Sequence, residues 1–175
     1  MNKYVAFLRA INVGGNTIIK MADLKQIFES LGLENVQTHI QSGNVIFESD
    51  EEDSTSLEKQ IERQIETATG HKTQLFVRTF REIQSIASKS PFTAEANETV
   101  HITFLHARPD RKGQQAILSY KSDADDFAVK GREVYNLRHD REKSIFSNNF
   151  VEKTLKMSGT TRNMTVIKKI AEKYH

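Results

Sequence analysis

The chain has no cysteine among its 175 residues. Disulfides, thiolate catalysis, iron–sulfur clusters and cysteine-bound zinc are therefore excluded, and a reducing compartment is favoured. Long apolar runs are absent as well. The first run, residues 4–8, ends at Arg9 and is too short for a signal peptide or a membrane span. We therefore expect a cytoplasmic protein that makes no membrane contact.

Short motifs with a fixed chemistry are missing too. The sequence has no phosphate loop ending in Gly-Lys-Ser/Thr, no Gly-x-Gly-x-x-Gly, no Gly-x-Ser-x-Gly and no His-Glu-x-x-His. His101 and His106 lie five apart on a predicted strand, so they point to opposite faces and cannot share a metal ion. The acidic run at residues 50–53 suits the start of the helix that follows it. We predict no metal site and no cofactor.

Aromatic residues make up only 8% of the chain. RNA-binding sheet modules stack bases on exposed aromatic side chains, and the predicted strand after Gly43 offers Asn44 and Ile46 at those places. The sequence therefore disfavours nucleic-acid binding, or allows only weak binding without sequence preference. The formal net charge is +2, with 8 basic and 11 acidic side chains in residues 1–80 and 17 basic and 12 acidic in residues 81–175. These opposite signs fit mutual attraction of the halves or an anionic ligand.

Hydrophobic periodicity predicts the order strand, helix, strand, strand, helix, strand in the first half. The predicted strands are residues 4–11, 36–40, 45–47 and 73–79, and the helices start near Ala22 and at Thr55. We expect a capping box between Thr55 and Glu58, and a hairpin turn at Gly43.

A connecting helix is predicted at residues 80–89, ending before Pro91. After it the pattern predicts a strand at residues 100–107, a helix to Tyr120, a hairpin about Gly131, and two further helices. The first of these helices is expected to be capped by Asn148 or Asn149.

Residues 42–47 and 130–135 occupy the same place in two successions of the same element types, which indicates a weak internal repeat. Strand-helix-strand-strand-helix units with right-handed crossovers are typical of the ferredoxin-like plan. We predict an α+β chain built as a tandem pair of ferredoxin-like (βαββαβ-type) subdomains with antiparallel sheets and an extra C-terminal helix. The predicted boundaries are 1–79 for the first subdomain, 80–96 for the connecting helix and linker, and 97–175 for the second.

Three motifs together resemble one known family. They are Leu-Arg-Ala-Ile-Asn-Val-Gly-Gly at 8–15, Thr-His-Ile-Gln-Ser-Gly-Asn-Val-Ile-Phe at 38–47 and Thr-Arg-Asn at 161–163. In this order they resemble the bacterial family called domain of unknown function 1697, over nearly the whole chain. That family usually has glycine at the position of Ala10, often lysine at that of Asn16, and tryptophan at that of Met164. The resemblance implies two packed ferredoxin-like subdomains in a bacterial cytoplasmic protein, and it implies no catalytic residues.

The candidate ligand site is the connection that follows the first strand. Arg9 and Asn12 supply polar groups there, and Gly14 and Gly15 have no Cβ to keep an anion from the backbone N–H groups. A second cluster, Arg162 and Asn163, precedes the last helix and offers a guanidinium and a capping amide. A tight turn, a strand ion pair and ordinary helix caps would explain the same residues. We predict that Arg9 and Arg162 contribute to one anion-receptive cleft between the subdomains.

The leading hypothesis is thus a small-ligand-binding or regulatory module whose ligand is an anion, for example a nucleotide. An enzyme acting on a phosphorylated or carboxylated small molecule is the alternative, with His39, expected on the polar face of its strand, as the weak candidate for a general base. A third hypothesis is a protein-interaction module using the open sheet faces or edges, which leaves a homo-oligomer open.

Overall fold

The computed structural model describes residues 1–9, 19–39 and 43–175. Within these residues the chain is an α+β protein with eight strands and six helices. In chain order they are β1 (Asn2–Leu8), α1 (Met21–Glu29), β2 (Glu34–Thr38), β3 (Asn44–Ser49), α2 (Ser54–Thr69), β4 (Leu75–Thr79), α3 (Phe80–Ser88), β5 (Thr99–Leu105), α4 (Arg111–Leu118), β6 (Asp125–Lys130), β7 (Glu133–Arg138), α5 (Asn148–Leu155), β8 (Gly159–Asn163) and α6 (Met164–Lys173).

The strands form two antiparallel sheets of four. The first sheet has the order β2-β3-β1-β4 and the second has the order β6-β7-β5-β8. The chain divides into two compact units, residues 1–84 with 170–175 and residues 85–169, which we call unit 1 and unit 2. The division expected from the sequence placed residues 170–175 with the second half instead. Helix α6 therefore begins in unit 2 and ends in unit 1.

The core of unit 1 lies between its sheet and helices α1 and α2. Apolar side chains spaced three and four apart on α1 place Leu24, Ile27 and Phe28 on one face, which is the stripe that periodicity predicts. They pack with alternate residues of β1, among them Tyr4 and Leu8, in one buried cluster. Each fully buried leucine or isoleucine contributes on the order of 1.5–3 kcal/mol relative to an exposed one.

Unit 2 has a strand that the sequence analysis missed. Residues 159–163 were expected to be a loop before the last helix, but they form β8, which pairs with β5. The run Gly-Thr-Thr-Arg-Asn has no apolar residue to reveal a strand. Most of this run is nevertheless buried. A Cβ on Gly159 would lie only 2.9 Å from Thr103 Cγ2, so glycine is needed for the close approach of the two strands.

Hydrogen bonds show that the two units repeat the same pairing. The N–H of Leu8 donates to the Gly43 carbonyl (2.8 Å), and the N–H of Leu105 donates to the Arg132 carbonyl (2.9 Å). Gly43 is therefore equivalent to Arg132. The repeat in the sequence, residues 42–47 with 130–135, pairs Gly43 with Gly131 instead, one residue away. Because β6 and β7 are joined by two residues only, the second hairpin is tighter than the first.

Carboxylates close one edge of each sheet. The outward N–H groups of β4 donate to Glu62 from Leu75 (3.0 Å), to Glu58 from Val77 (2.8 Å) and to Glu82 from Thr79 (2.7 Å). On β8, the N–H of Gly159 donates to Glu152 of α5 (2.8 Å). Unpaired edge groups invite another strand, so these side chains protect the sheets from strand addition at this edge.

Two predicted caps are wrong for local reasons. Helix α2 starts at Ser54 and its cap is Asp53, whose carboxylate accepts from the Thr55 N–H, while Glu58 is drawn to the edge of β4. Helix α5 is capped by Ser147, which accepts from the Phe150 N–H. Sequence patterns place a cap only to within a residue or two.

Replacing Glu58 by alanine removes the acceptor of the buried Val77 N–H. We expect the free energy of unfolding to fall by about 1–3 kcal/mol, because a buried donor is left without a partner. Glu66→Ala, on the exposed side of the same helix, is the matched control and should change stability by less than about 0.5 kcal/mol. Urea denaturation followed by circular dichroism measures both; equal losses would show that the edge bond is unimportant.

Candidate functional site

One end of the sheet of unit 1 collects basic side chains. Arg9 follows β1, and its N–H donates to the Gln74 carbonyl (2.9 Å) just before β4. His39 follows β2, and its N–H donates to the Asn44 carbonyl (2.9 Å). His71 and Lys72, both exposed, precede Gln74. We call Arg9, His71 and Lys72 the basic rim. The predicted ligand residues Asn12, Gly14 and Gly15 lie outside the described residues.

At the basic-rim end of the sheet, the connecting segments carry basic but no acidic side chains. The connections 9–20, 39–43 and 70–74, which run from or into the strands there, contain no aspartate or glutamate. The connection 50–53 at the opposite end of the sheet consists of four acids. Because the strands are antiparallel, this order polarises unit 1 from an acidic end to a basic end. Anions are attracted to such a rim, more strongly at low ionic strength.

Helix α1 starts beside the basic rim, and among the described residues its N-cap position supplies no capping side chain. Its N-cap residue is Lys20, which makes no capping hydrogen bond and has extended backbone angles (φ −66°, ψ 141°). Helix starts usually carry Ser, Thr, Asp or Asn there, because the first N–H groups lack intrahelical acceptors. The positive end of the helix dipole adds to the charge of the rim, and Asp23 in the first turn offsets part of it.

His39 is an interior residue, whereas the sequence analysis expected it on the polar face of its strand. It lies just past the end of β2 and is only 9% exposed. Its Nδ1 lies 3.1 Å from the Tyr174 hydroxyl, and the two rings meet edge to face at 5.5 Å. The aromatic partner is 135 residues away in the sequence, so periodicity gave no sign of it. His39 thus helps to dock the C-terminal residues on unit 1.

A groove of about 710 Å³ runs along β2, and its lining carries charges of both signs. The lining residues are Lys3, Lys25, Glu29, Leu33, Glu34, Asn35, Val36, Gln37, Ile46, Glu48 and Tyr174. Its three carboxylates outnumber its two ammonium groups. The basic rim, rather than this groove, therefore suits an anion.

The second predicted cluster divides between two faces of a strand in unit 2. Arg162 and Asn163 are neighbours on β8, so their side chains point to opposite faces of the sheet. Arg162 is 8% exposed and donates from Nη1 to the Thr160 hydroxyl (2.8 Å) and the Thr161 carbonyl (3.0 Å). Burial lowers the pKa of the Arg162 guanidinium to about 10, which leaves it charged at neutral pH. The shared cleft of Arg9 with Arg162 remains a prediction, since the two residues belong to different units.

A polar row that the sequence analysis missed crosses the sheet of unit 2. His101 on β5 lies opposite Asn136 on β7 and opposite Asn163 on β8. The Nδ2 of Asn136 donates to the buried carboxylate of Asp125 (2.9 Å), and the His101 ring stacks on Phe146 at 5.1 Å. The three strands come from distant parts of the sequence. Only their register brings these side chains together.

Burial lowers the pKa of His101, and the nearby Arg138 lowers it further. Asn136 and Asp125 act in the opposite direction, because an acceptor and a negative charge favour the protonated ring. The net direction keeps His101 neutral at pH 7. A neutral imidazole is the form that accepts a proton.

Among the described residues, no group of three or more His, Asp or Glu side chains is placed to hold a metal ion. In the same part of the chain, no helix combines the length and the apolarity that crossing a membrane needs.

Residues 1–135 match the model of a family described as proteins of unknown function, DUF1697. The chain belongs to the DUF1697 family. A similar solved structure is that of the conserved bacterial protein SP0830 from Streptococcus pneumoniae, with a TM-score of 0.75 and 19% identity over 98% of this chain and 97% of that chain. At this identity the likeness concerns the fold. No curated protein matches the sequence.

The DUF1697 match covers the basic rim and stops just before Asn136. Arg9, His39, His101 and Asp125 thus lie within the matched residues. Arg162 and the rest of β8 lie beyond them, in the part that the structural likeness alone covers.

Acid should destabilise this DUF1697 protein partly through His101. The pKa of His101 is below its ordinary value of 6.5 in the fold, so the unfolded chain takes up the proton first as the pH falls. The stability cost appears below about pH 6.5 and grows until the pH reaches the lowered pKa. His101→Gln should lose less stability between pH 7 and pH 5 than the parent. The exposed His71→Gln should follow the parent, and an identical response of both variants would contradict the assignment.

Removing the contact between Tyr174 and His39 should lower the free energy of unfolding. Tyr174→Phe keeps the ring and removes the hydroxyl, so we expect a loss of about 1 kcal/mol. Tyr120→Phe, at a 45% exposed tyrosine, is the control and should stay within about 0.5 kcal/mol. Guanidinium denaturation measures both, and a neutral Tyr174→Phe would mean that water replaces the hydroxyl without cost.

Proposed function

We propose that this DUF1697 protein binds a small anion, a phosphate- or carboxylate-bearing metabolite, at the basic rim of unit 1. The observation that carries the proposal is the start of helix α1, where the N-cap residue Lys20 makes no capping hydrogen bond while Arg9, His71 and Lys72 lie at the same end of the sheet. A bound oxyanion would accept hydrogen bonds from the first N–H groups of the helix.

Unit 2 supplies an internal comparison. Its equivalent helix, α4, starts with Asp110, whose carboxylate accepts from the Gly113 N–H at 2.7 Å. The connections after β5 and between β6 and β7 also carry basic residues, including Arg108 and Arg132. A carboxylate of the protein thus occupies the helix start in unit 2, whereas Lys20 stands at that place in unit 1. The proposal assigns the same role in unit 1 to a carboxylate or phosphate of the ligand.

The sequence adds two further parts to the proposal. Asn12, Gly14 and Gly15 are proposed to bring amide groups to the ligand from the connection between β1 and α1. For Arg162, in unit 2, we propose a separate anion contact. Its hydrogen bonds to Thr160 and the Thr161 carbonyl fix its position on β8. Arginine suits phosphate and carboxylate because its donors form a planar fork.

We also propose a fold type and a cellular compartment for this protein. The strand orders β2-β3-β1-β4 and β6-β7-β5-β8, with the same element succession in both units, support a tandem pair of ferredoxin-like units. The absence of cysteine supports a reducing compartment such as the bacterial cytoplasm.

The sharpest test is to cap helix α1 from within the protein. Lys20→Asp places a carboxylate at an N-cap whose backbone angles already suit one, so the free protein should gain about 0.5–1 kcal/mol. The same variant should lose the thermal stabilisation that inorganic phosphate gives to the parent. Arg9→Met and Lys72→Met should each weaken the phosphate effect as well.

Lys59→Asp makes the same charge change on the exposed face of α2 and should keep the phosphate effect. Arg162→Met tests the proposed anion contact in unit 2 separately. Equal phosphate stabilisation of the parent and Lys20→Asp would end the proposal for the rim.

A further inference from the structure

The two units place different chemistry at equivalent positions of their sheets. In unit 1, Tyr4 pairs with Phe47, and the two rings stack at 5.6 Å inside the apolar core. The register of the central strands makes His101 the equivalent of Tyr4 and Asn136 the equivalent of Phe47. Because unit 1 fills these positions with an aromatic pair, the fold does not require a polar pair there.

The polar pair of unit 2 carries the cost of buried polar atoms. Asn136 is fully buried, and its Oδ1 makes no hydrogen bond within the protein. His101 Nδ1 and Thr99 Oγ1, on the same face of β5, are buried and without a hydrogen bond too. A buried polar atom without a partner costs on the order of 1–3 kcal/mol, so natural proteins keep few of them. Two of these atoms, His101 Nδ1 and Asn136 Oδ1, belong to directly opposed side chains. A buried polar pair at a place that unit 1 fills with an aromatic pair indicates a functional site.

The orientation of Asn136 is fixed by its neighbours. Its Nδ2 donates to the Asp125 carboxylate (2.9 Å) and to the Asp126 carbonyl (3.3 Å), which uses both amide hydrogens. Asp125 itself is held by the Ser144 hydroxyl (2.7 Å) and the Ile145 N–H (2.9 Å). The amide oxygen is therefore the atom left for His101. An acceptor on that side favours the tautomer with hydrogen on Nδ1, which makes Nε2 the basic nitrogen.

The other side of His101 offers a donor. Asn163 lies directly across from it on β8, where paired side chains are roughly 4.5–5.5 Å apart. Its Oδ1 accepts from the Thr165 N–H (2.9 Å) at the start of α6, so its amide hydrogens are the part that can serve a ligand. Both His101 and Asn163 are partly exposed, unlike Asn136.

We propose that the row Asn136–His101–Asn163 is a binding site for a small hydroxy acid. His101 Nε2 accepts a hydrogen bond from the ligand hydroxyl. Asn163 Nδ2 donates to the carboxylate oxygen next to that hydroxyl. Asn136 and Asp125 are positioning residues that hold the ring and its tautomer. This site is independent of the basic rim, which selects for negative charge alone.

The direction of the pKa of His101 agrees with this role. A ring that is neutral at pH 7 keeps one nitrogen lone pair, which can accept a hydrogen bond from a hydroxyl. The groups that face it are Arg138, which opposes protonation, and Asp125 and Asn136, which favour it.

The first experiment determines the tautomer. Long-range 1H–15N spectra of the whole protein at pH 7.5 should show His101 with hydrogen on Nδ1. Asn136→Leu should shift the ring toward the Nε2–H form. A parent protein with hydrogen on Nε2 would overturn the proposal, because Nε2 would then have no lone pair for a ligand proton.

The second experiment compares glycolate with acetate, which lacks the hydroxyl. Glycolate should shift the His101 ring resonances saturably, and acetate should bind about tenfold more weakly, the equivalent of one hydrogen bond of roughly 1.4 kcal/mol. Asn163→Ala should weaken glycolate about tenfold as well. Equal shifts by glycolate and acetate, or no saturable shift up to millimolar glycolate, would overturn the proposal.

A double variant distinguishes loss of ligand binding from loss of folding. His101→Tyr with Asn136→Phe installs the aromatic pair of unit 1, so the protein should remain folded by circular dichroism. Glycolate should then no longer perturb the Asn163 amide resonances. Lys20→Asp, which disables the basic rim, should leave glycolate binding at His101 unchanged. If Lys20→Asp abolished that binding, the site would be the rim and not this row.

Discussion

The central strand of each sheet, β1 in unit 1 and β5 in unit 2, fixes the positions of the neighbouring strands and of the candidate site residues. Each is hydrogen-bonded to a neighbour on both sides, and residues 4–8 of β1 are buried on both faces. A shift of either strand by one residue would exchange its faces, which would put apolar side chains where polar ones stand. The register therefore cannot slip without loss of the core. It brings Arg9 out beside Gln74 and sets His101 between Asn136 and Asn163.

Most of the fold could be predicted because its signals are local. Apolar residues three and four apart reveal α1 and α2, and alternation with turn residues reveals both hairpins. Strand β8 could not be found in this way. It consists of Gly-Thr-Thr-Arg-Asn, and it is a strand because β5 pairs with it and Glu152 accepts from its first N–H. Both partners are tertiary, so no window of sequence contains them.

The candidate site was predictable only in part, for a similar reason. Arg9 was identified because it interrupts an apolar strand before a glycine pair, and that is a local signal. His39 was judged by strand alternation, which cannot show that Tyr174 covers it. For His101 the sequence shows only that it cannot share a metal ion with His106. Its present interest depends on Asn136 and Asn163, which lie 35 and 62 positions further along and are adjacent only through the sheet register.

The duplication separates what the fold needs from what it does not. Features that both units share serve stability, such as the glutamates that accept from the edge strands β4 and β8. Features that differ serve no common structural need. The uncapped start of α1 and the row at His101 are two such differences, one in each unit. Since the other copy solves the same packing problem without them, with Asp110 in one case and an aromatic pair in the other, stability does not explain why they are there. Sites in duplicated folds are therefore best sought where equivalent positions disagree, and here both disagreements lie next to a basic or proton-accepting side chain.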